Sequence, residues 1–147
     1  EGLPGGRHTV YHRETGSKVR EGHVNKAKGD NYVTRYYGDG QIKYEGQLKN
    51  GAAVVHGTLY HRETGNRAYT GDFKAGHKDG NGTGYFSDGQ IRYQGEWKKG
   101  ERDGNGTSHF ENGQIKYKGE WKTGKRDGNG TRYFENGHID YQGGWKE

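Results

Sequence analysis

Apolar and polar positions alternate in short runs along this chain, and the runs recur. From Gly106 to Trp121 the sequence is GTSHFENGQIKYKGEW. Asn112-Gly113 interrupts the alternation and is a strong hairpin signal, because a type I′ turn needs positive φ at both central residues. Folding about that turn sets Phe110 opposite Ile115, Ser108 opposite Tyr117, and Gly106 opposite Gly119. Side chains alternate faces along a strand. Phe110, Ile115, Tyr117 and Trp121 are therefore expected on one face, with His109, Lys116, Thr107, Lys118 and Glu120 on the other. The paired glycines leave room for rings to lie over the backbone.

The same unit returns about every 24 residues. Its mark is Tyr-x-Gly-x-aromatic, at Tyr69-Gly71-Phe73, Tyr93-Gly95-Trp97, Tyr117-Gly119-Trp121 and Tyr141-Gly143-Trp145. A Leu-ended form stands at Tyr44-Gly46-Leu48 and a worn one at Arg20-Gly22-Val24. Periods of this length belong to stacked repeat architectures. A lone hairpin is marginal in water, so about six in register predict one long all-β antiparallel sheet. Segments such as KTGKRDGNG (Lys122 to Gly130) are read as loops that return the chain for the next hairpin. In two units the hairpin turn is a residue longer, Glu14-Thr15-Gly16 and Glu63-Thr64-Gly65, which fits a three-residue turn with its Gly left-handed. Residues 1–33 read as a degenerate N-terminal repeat or cap, and 34–147 as the regular array.

Stacking turns each position into a ladder with steps of ~10 Å. One holds Leu48, Phe73, Trp97, Trp121 and Trp145, another Ile42, Ile91, Ile115 and Ile139, and a third Tyr37, Phe86, Phe110 and Phe134. Tyr11, Tyr36, Tyr60, Tyr85, His109 and Tyr133 line the opposite face. A basic ladder runs through Lys49, Lys74, Lys98, Lys122 and Lys146.

Composition sharpens this picture. Leu, Ile, Val and Phe make up only 17 of 147 residues, a fraction typical of disorder. Twelve Tyr and three Trp at fixed places in the period argue instead for a folded chain with a thin aromatic core. Thirty Gly and one Pro suit a turn-dense β protein. No Cys is present, which removes disulfides and thiolate metal sites. No Met occurs either, so a processed product is expected, with loss of a signal peptide left open. A net charge of +5 favours acidic partners.

The stretch YKGEWKTGKRDGNGTRYFENG (Tyr117 to Gly137) resembles the MORN repeat, whose pattern is roughly YxGxWxxGxxxGxGxxxxxxG. The 24-residue period is similar to the variant of bacterial MORN-like proteins. The likeness covers about residues 34–147 well and 7–33 weakly. It implies an elongated, twisted, single-layer sheet with a groove on one face. It also implies a non-catalytic scaffold that binds a partner peptide or helix, self-associates or lies near membranes. Arg20, Val24, Val33 and Leu48 depart from the pattern. The groove contacts would then be Tyr93, Trp97, Phe110, Tyr117, Trp121, Phe134, Tyr141 and Trp145, since Tyr and Trp are common interface anchors. Two other readings stand beside this one. The basic ladder could meet acidic phospholipid, although Asp79, Glu96, Asp103, Glu120 and Asp127 interleave with it. The sheet edge near Glu147 could pair with a second copy, giving a homodimer.

Other chemistry finds little support. The rings are spaced widely for stacking on consecutive bases, which argues against nucleic acid. Asp-Gly-Asn-Gly lacks the Glu of a calcium loop, because Gln114 stands at the twelfth position from Asp103. The eight His residues follow no zinc spacing. No nucleophile-and-base arrangement breaks the period, so no enzyme, metal or cofactor is expected. Asn-Gly-Thr at Asn81, Asn105 and Asn129 would attract sugar in a eukaryotic secretory pathway. A cytoplasmic or membrane-peripheral place is therefore favoured, with a bacterial secreted or periplasmic one left open.

Overall fold

A computed structural model describes residues 7–11, 13, 16, 18–25, 30–49 and 53–147; within the first five strands only part of the side chains is described. The strands are β1 (Arg7–Tyr11), β2 (Lys18–Asn25), β3 (Asp30–Tyr36), β4 (Ile42–Lys49), β5 (Ala53–Tyr60) and β6 (Arg67–Lys74). They continue as β7 (His77–Tyr85), β8 (Ile91–Lys98), β9 (Glu101–His109), β10 (Ile115–Lys122), β11 (Lys125–Tyr133) and β12 (Ile139–Lys146). All join one antiparallel sheet in strict chain order, β1 through β12. The all-β hairpin succession expected from the period is therefore present. The expectation of an N-terminal cap over 1–33 falls largely on side chains outside the described set.

The central register agrees with the alternation: Tyr117 pairs with Ser108, and Gly119 with Gly106. The two turns of each unit differ from the expected pair. Asn112-Gly113 does not form a type I′ turn. Among the described residues only Ala75, Lys99 and Thr123 are non-glycines at positive φ. Instead Glu111-Asn112-Gly113 forms a three-residue loop. Phe110 N donates to Gln114 O at 2.8 Å, Gly113 N to Phe110 O at 3.0 Å, and Gly113 takes φ 89°. The longer turn likewise spans four residues, Arg62 to Gly65, closed by His61 and Asn66, with Gly65 at φ 74°.

Type I′ turns do occur, at Ala75-Gly76, Lys99-Gly100 and Thr123-Gly124, where both residues have positive φ. The segments read as return loops are thus tight turns followed by full strands. Within those strands Gly80, Gly104 and Gly128 sit at φ 93°, 99° and 70°, where the ladder slips. Acidic side chains hold the slipped main chain. Glu96 Oε2 accepts Asn105 N–H at 2.6 Å, and Asp72 Oδ2 accepts Asn81 N–H at 3.3 Å.

The loop closure carries a bulge with it. Register shifts between Ile115 and Tyr117, so Ile115 pairs with His109 while Tyr117 still pairs with Ser108. One extra residue reverses the face of everything on the turn side of it. Ile115 therefore leaves the face of Tyr117, and Lys116 joins it, its Nζ 5.8 Å from the Phe110 ring centre. Ile91 and Ile139 pair likewise with Tyr85 and Tyr133. The isoleucine and outer tyrosine ladders thus share the second face.

Candidate functional site

The glycines explain how a single sheet buries large rings. Tyr93 lies across Gly106 so closely that an added Cβ there would overlap its hydroxyl, and Tyr69 and Tyr117 lie the same way on Gly82 and Gly130. Each phenol donates three residues ahead: Tyr69 to Asp72 O at 2.8 Å, Tyr93 to Glu96 O at 2.9 Å, Tyr117 to Glu120 O at 3.0 Å. Each indole donates to a glycine carbonyl of the neighbouring strand: Trp97 to Gly82 at 3.0 Å, Trp121 to Gly106 at 3.1 Å, Trp145 to Gly130 at 3.2 Å. Tyrosine and tryptophan then alternate edge to face. Tyr93 stands 5.0 Å from Trp97 and 5.5 Å from Trp121, and Tyr117 5.1 Å from Trp121 and 5.5 Å from Trp145. Such pairs add ~0.5–1.5 kcal/mol each beyond their burial.

The expected contact residues divide in two. Tyr93, Trp97, Tyr117 and Trp121 are buried floor. Phe110 and Trp145 are half-buried, while Phe134 and Tyr141 are 51% and 41% exposed. Burial pushes the Tyr93 hydroxyl up to about 12, against a partial lowering by Arg102; Tyr69 and Tyr117 shift the same way, also chiefly through burial.

A row of cations covers this floor, and the sequence reading did not single it out. Lys78 Nζ lies 4.9 Å from Trp97, the Arg102 guanidinium 5.0 Å from Trp121 and 4.8 Å from Tyr93, and that of Arg126 4.4 Å from Trp145. Arg92 lies over Phe86 and Arg132 over Trp145. The signal was present as a basic residue at 78, 102 and 126, one per period. Those positions had been assigned to loops, whose side chains have no predictable face. Arg126 pairs with Glu147, and Arg132 with Asp140 at 2.6 Å.

The basic ladder lies elsewhere. Lys74, Lys98, Lys122 and Lys146 are exposed beside the type I′ turns, and the Lys49 side chain lies outside the described residues. Lys74 and Lys98 line a cleft of about 720 Å³ shared with Asp79, Glu96 and Asp103, so charge there is locally balanced. A smaller cleft of about 330 Å³ on the aromatic face includes Phe86, Arg92, Arg102, Ser108, Lys116 and Arg126, and no acid lines it. Despite its smaller size, this second cleft has the more distinctive chemistry.

The repeat geometry agrees with a known family. The MORN repeat pattern matches residues 44–62, 69–91, 93–115 and 117–139, and the MORN repeat variant matches 30–50. The chain belongs to the MORN repeat family. Four MORN matches begin at Tyr44, Tyr69, Tyr93 and Tyr117, the rings that seat on glycine. No curated protein matches the chain. MORN repeats form a non-enzymatic family of modules that generally bind proteins or membranes.

Proposed function

We propose that this chain is a non-catalytic scaffold whose aromatic face seats a peptide or helix of a protein partner. The supporting observation is the division of labour among the rings. Tyr93, Trp97, Tyr117 and Trp121 are locked into a rigid floor, while Phe110, Phe134, Tyr141 and Trp145 keep accessible ring surface beside it. A fixed floor lowers the ordering cost of binding, and accessible rings supply apolar contact. The floor residues act through the shape they hold, and the outer rings touch the partner.

A displayed library of random peptides, selected on the immobilised chain, tests this reading. Selected peptides should lose binding to a Phe110→Ser, Phe134→Ser double variant that melts like the parent. Peptides that bind parent and variant equally would refute the assignment, as would a selection that enriches nothing. Acidic membranes are the second reading, supported by the exposure of Lys74, Lys98, Lys122 and Lys146. It predicts salt-sensitive pelleting with acidic vesicles that Lys98→Glu and Lys122→Glu abolish.

A further inference from the structure

Charge on the aromatic face is unbalanced at one place. Among the described residues, Lys78, Arg92, Arg102 and Lys116 have no ion-pair partner. Lys78 and Arg102 are held below their ordinary values, first by burial and then by the Arg92 charge, so these cations feel one another with no anion between them. Clustered cations without counter-charge are unfavourable in a protein that gains nothing from them. The Arg102 guanidinium spends its face on Trp121 and Tyr93, which leaves its N–H edges free to donate. Among the described residues it donates to no acceptor. Ser108 sits beside it, 5% exposed.

The chain itself contains an example of what such an arginine takes. One period later Arg126 stacks on Trp145, its Nη2 donates to Glu147 Oε1, and its main-chain N–H donates to Oε2 at 3.2 Å. That contact holds the Glu147 carboxyl below the usual carboxylate range. One period before Glu147 stands Thr123, so Arg102 receives no such carboxylate from the chain.

We propose that the Arg92, Arg102, Lys116 and Ser108 cleft binds carboxylate side chains of an acidic peptide segment in the partner. This rests on the protein-binding reading above and specifies its partner by charge. Arg102 takes a carboxylate on its free edge as Arg126 takes Glu147. Arg92 and Lys116, which are exposed, hold neighbouring acids, and apolar residues between them meet Phe110 and Phe134.

The probe is a labelled peptide of alternating Glu and Leu, about twelve residues long, enough in extended form to cross about four repeat steps. A Gln-and-Leu peptide serves as its neutral counterpart, and vesicles of phosphatidylserine in phosphatidylcholine form a third arm. Fluorescence anisotropy should show that the Glu peptide binds and the neutral one binds at least about tenfold more weakly, since hydrogen bonds to charged groups are the stronger class. Added salt should weaken the Glu peptide. Arg102→Gln should reduce its affinity about tenfold, on the same grounds. Arg92→Gln with Lys116→Gln should do likewise, and because both side chains are exposed this pair should melt like the parent. Equal binding of both peptides, lost in the Phe110→Ser, Phe134→Ser variant, would overturn the acidic preference and leave the protein-binding reading standing. Vesicle binding that depends on Arg92 and Lys116, with no peptide bound, would overturn both.

Discussion

Replacing Gly106 with alanine adds one methyl where the Tyr93 ring rests on the backbone. A Cβ there would overlap the phenol oxygen and lie 2.5 Å from Cε2. The backbone does not require glycine at this place, because Gly106 is not among the residues at positive φ. Alanine by itself would therefore stabilise by about 0.4–1 kcal/mol through the unfolded chain. The ring, however, has to move. Overpacking a filled site costs about 1–3 kcal/mol. Losing the 2.9 Å bond from the Tyr93 hydroxyl to Glu96 O removes about 1 kcal/mol more. Weakened contacts with Trp97 and Trp121 add a similar amount. The net is a destabilisation of about 2–4 kcal/mol, or roughly 5–15 °C in Tm for a chain of this size. Circular dichroism melts and urea titrations measure it. Gly144→Ala is the control, since nothing lies within 4 Å of its added Cβ and its φ is not positive; it should melt at or above the parent temperature. Tyr93→Phe should partly rescue Gly106→Ala by removing the overlapped oxygen. A Gly106→Ala protein as stable as the parent would refute the ring-on-glycine account, and so would equal damage from Gly144→Ala.

Thr123 is a β-branched residue at φ 50° in a type I′ turn, so Thr123→Asn should stabilise by about 1 kcal/mol; an unchanged urea midpoint would count against turn strain. Alkali should unfold the chain. The folded pKa of Tyr93 is about 12 against an ordinary 10.0, with Tyr69 and Tyr117 also raised. The folded state therefore holds the phenol proton more tightly, and stability is complete below about pH 10 and is lost as pH rises toward 12. Tyrosinate absorbance should then rise together with loss of the sheet signal; independent titration of these rings in an intact sheet would contradict their burial.

The period, the hairpins and the central register were legible because alternation and glycine pairing constrain them at many positions at once. Gly106 opposite Gly119 follows from counting outward from a two-residue turn; the three-residue loop alone would set Gly106 opposite Lys118, and the bulge at Lys116 restores the glycine pairing. What was not legible turns on single residues. Asn-Gly suits a type I′ turn, yet it also suits a type I turn closed by a left-handed glycine, and the structure uses the second. That choice inserts the bulge at Lys116, and the bulge exchanges Ile115 for Lys116 on the aromatic face. The actual type I′ turns begin with Ala75, Lys99 and Thr123, none of which advertises positive φ. Once KTGKRDGNG was taken for a loop, the face of Arg126 and its copies could not be assigned. The cationic half of the candidate site was therefore hidden behind a turn assignment, although the aromatic half was in view.

The same geometry explains why the two halves occur together. A single-layer sheet has no second layer to bury its rings, so each tyrosine is enclosed piecemeal. For Tyr93 and Tyr117 glycine lies below, their own tryptophan on one side, the next repeat's tryptophan on the other, and a cation above. Tyr117, between Trp121 and Trp145, is 1% exposed, while Tyr141, beside Trp145 alone, is 41% exposed. Burial in this array is a nearest-neighbour property. The cation belongs to that enclosure, and its stem and π contact are used by the ring beneath it. Its N–H edges still need an acceptor, which Glu147 gives to Arg126 and none of the described residues gives to Arg102. The core that stabilises this sheet thus creates the unsatisfied donors on its surface, and the acidic partner we propose would complete what the fold leaves unpaired.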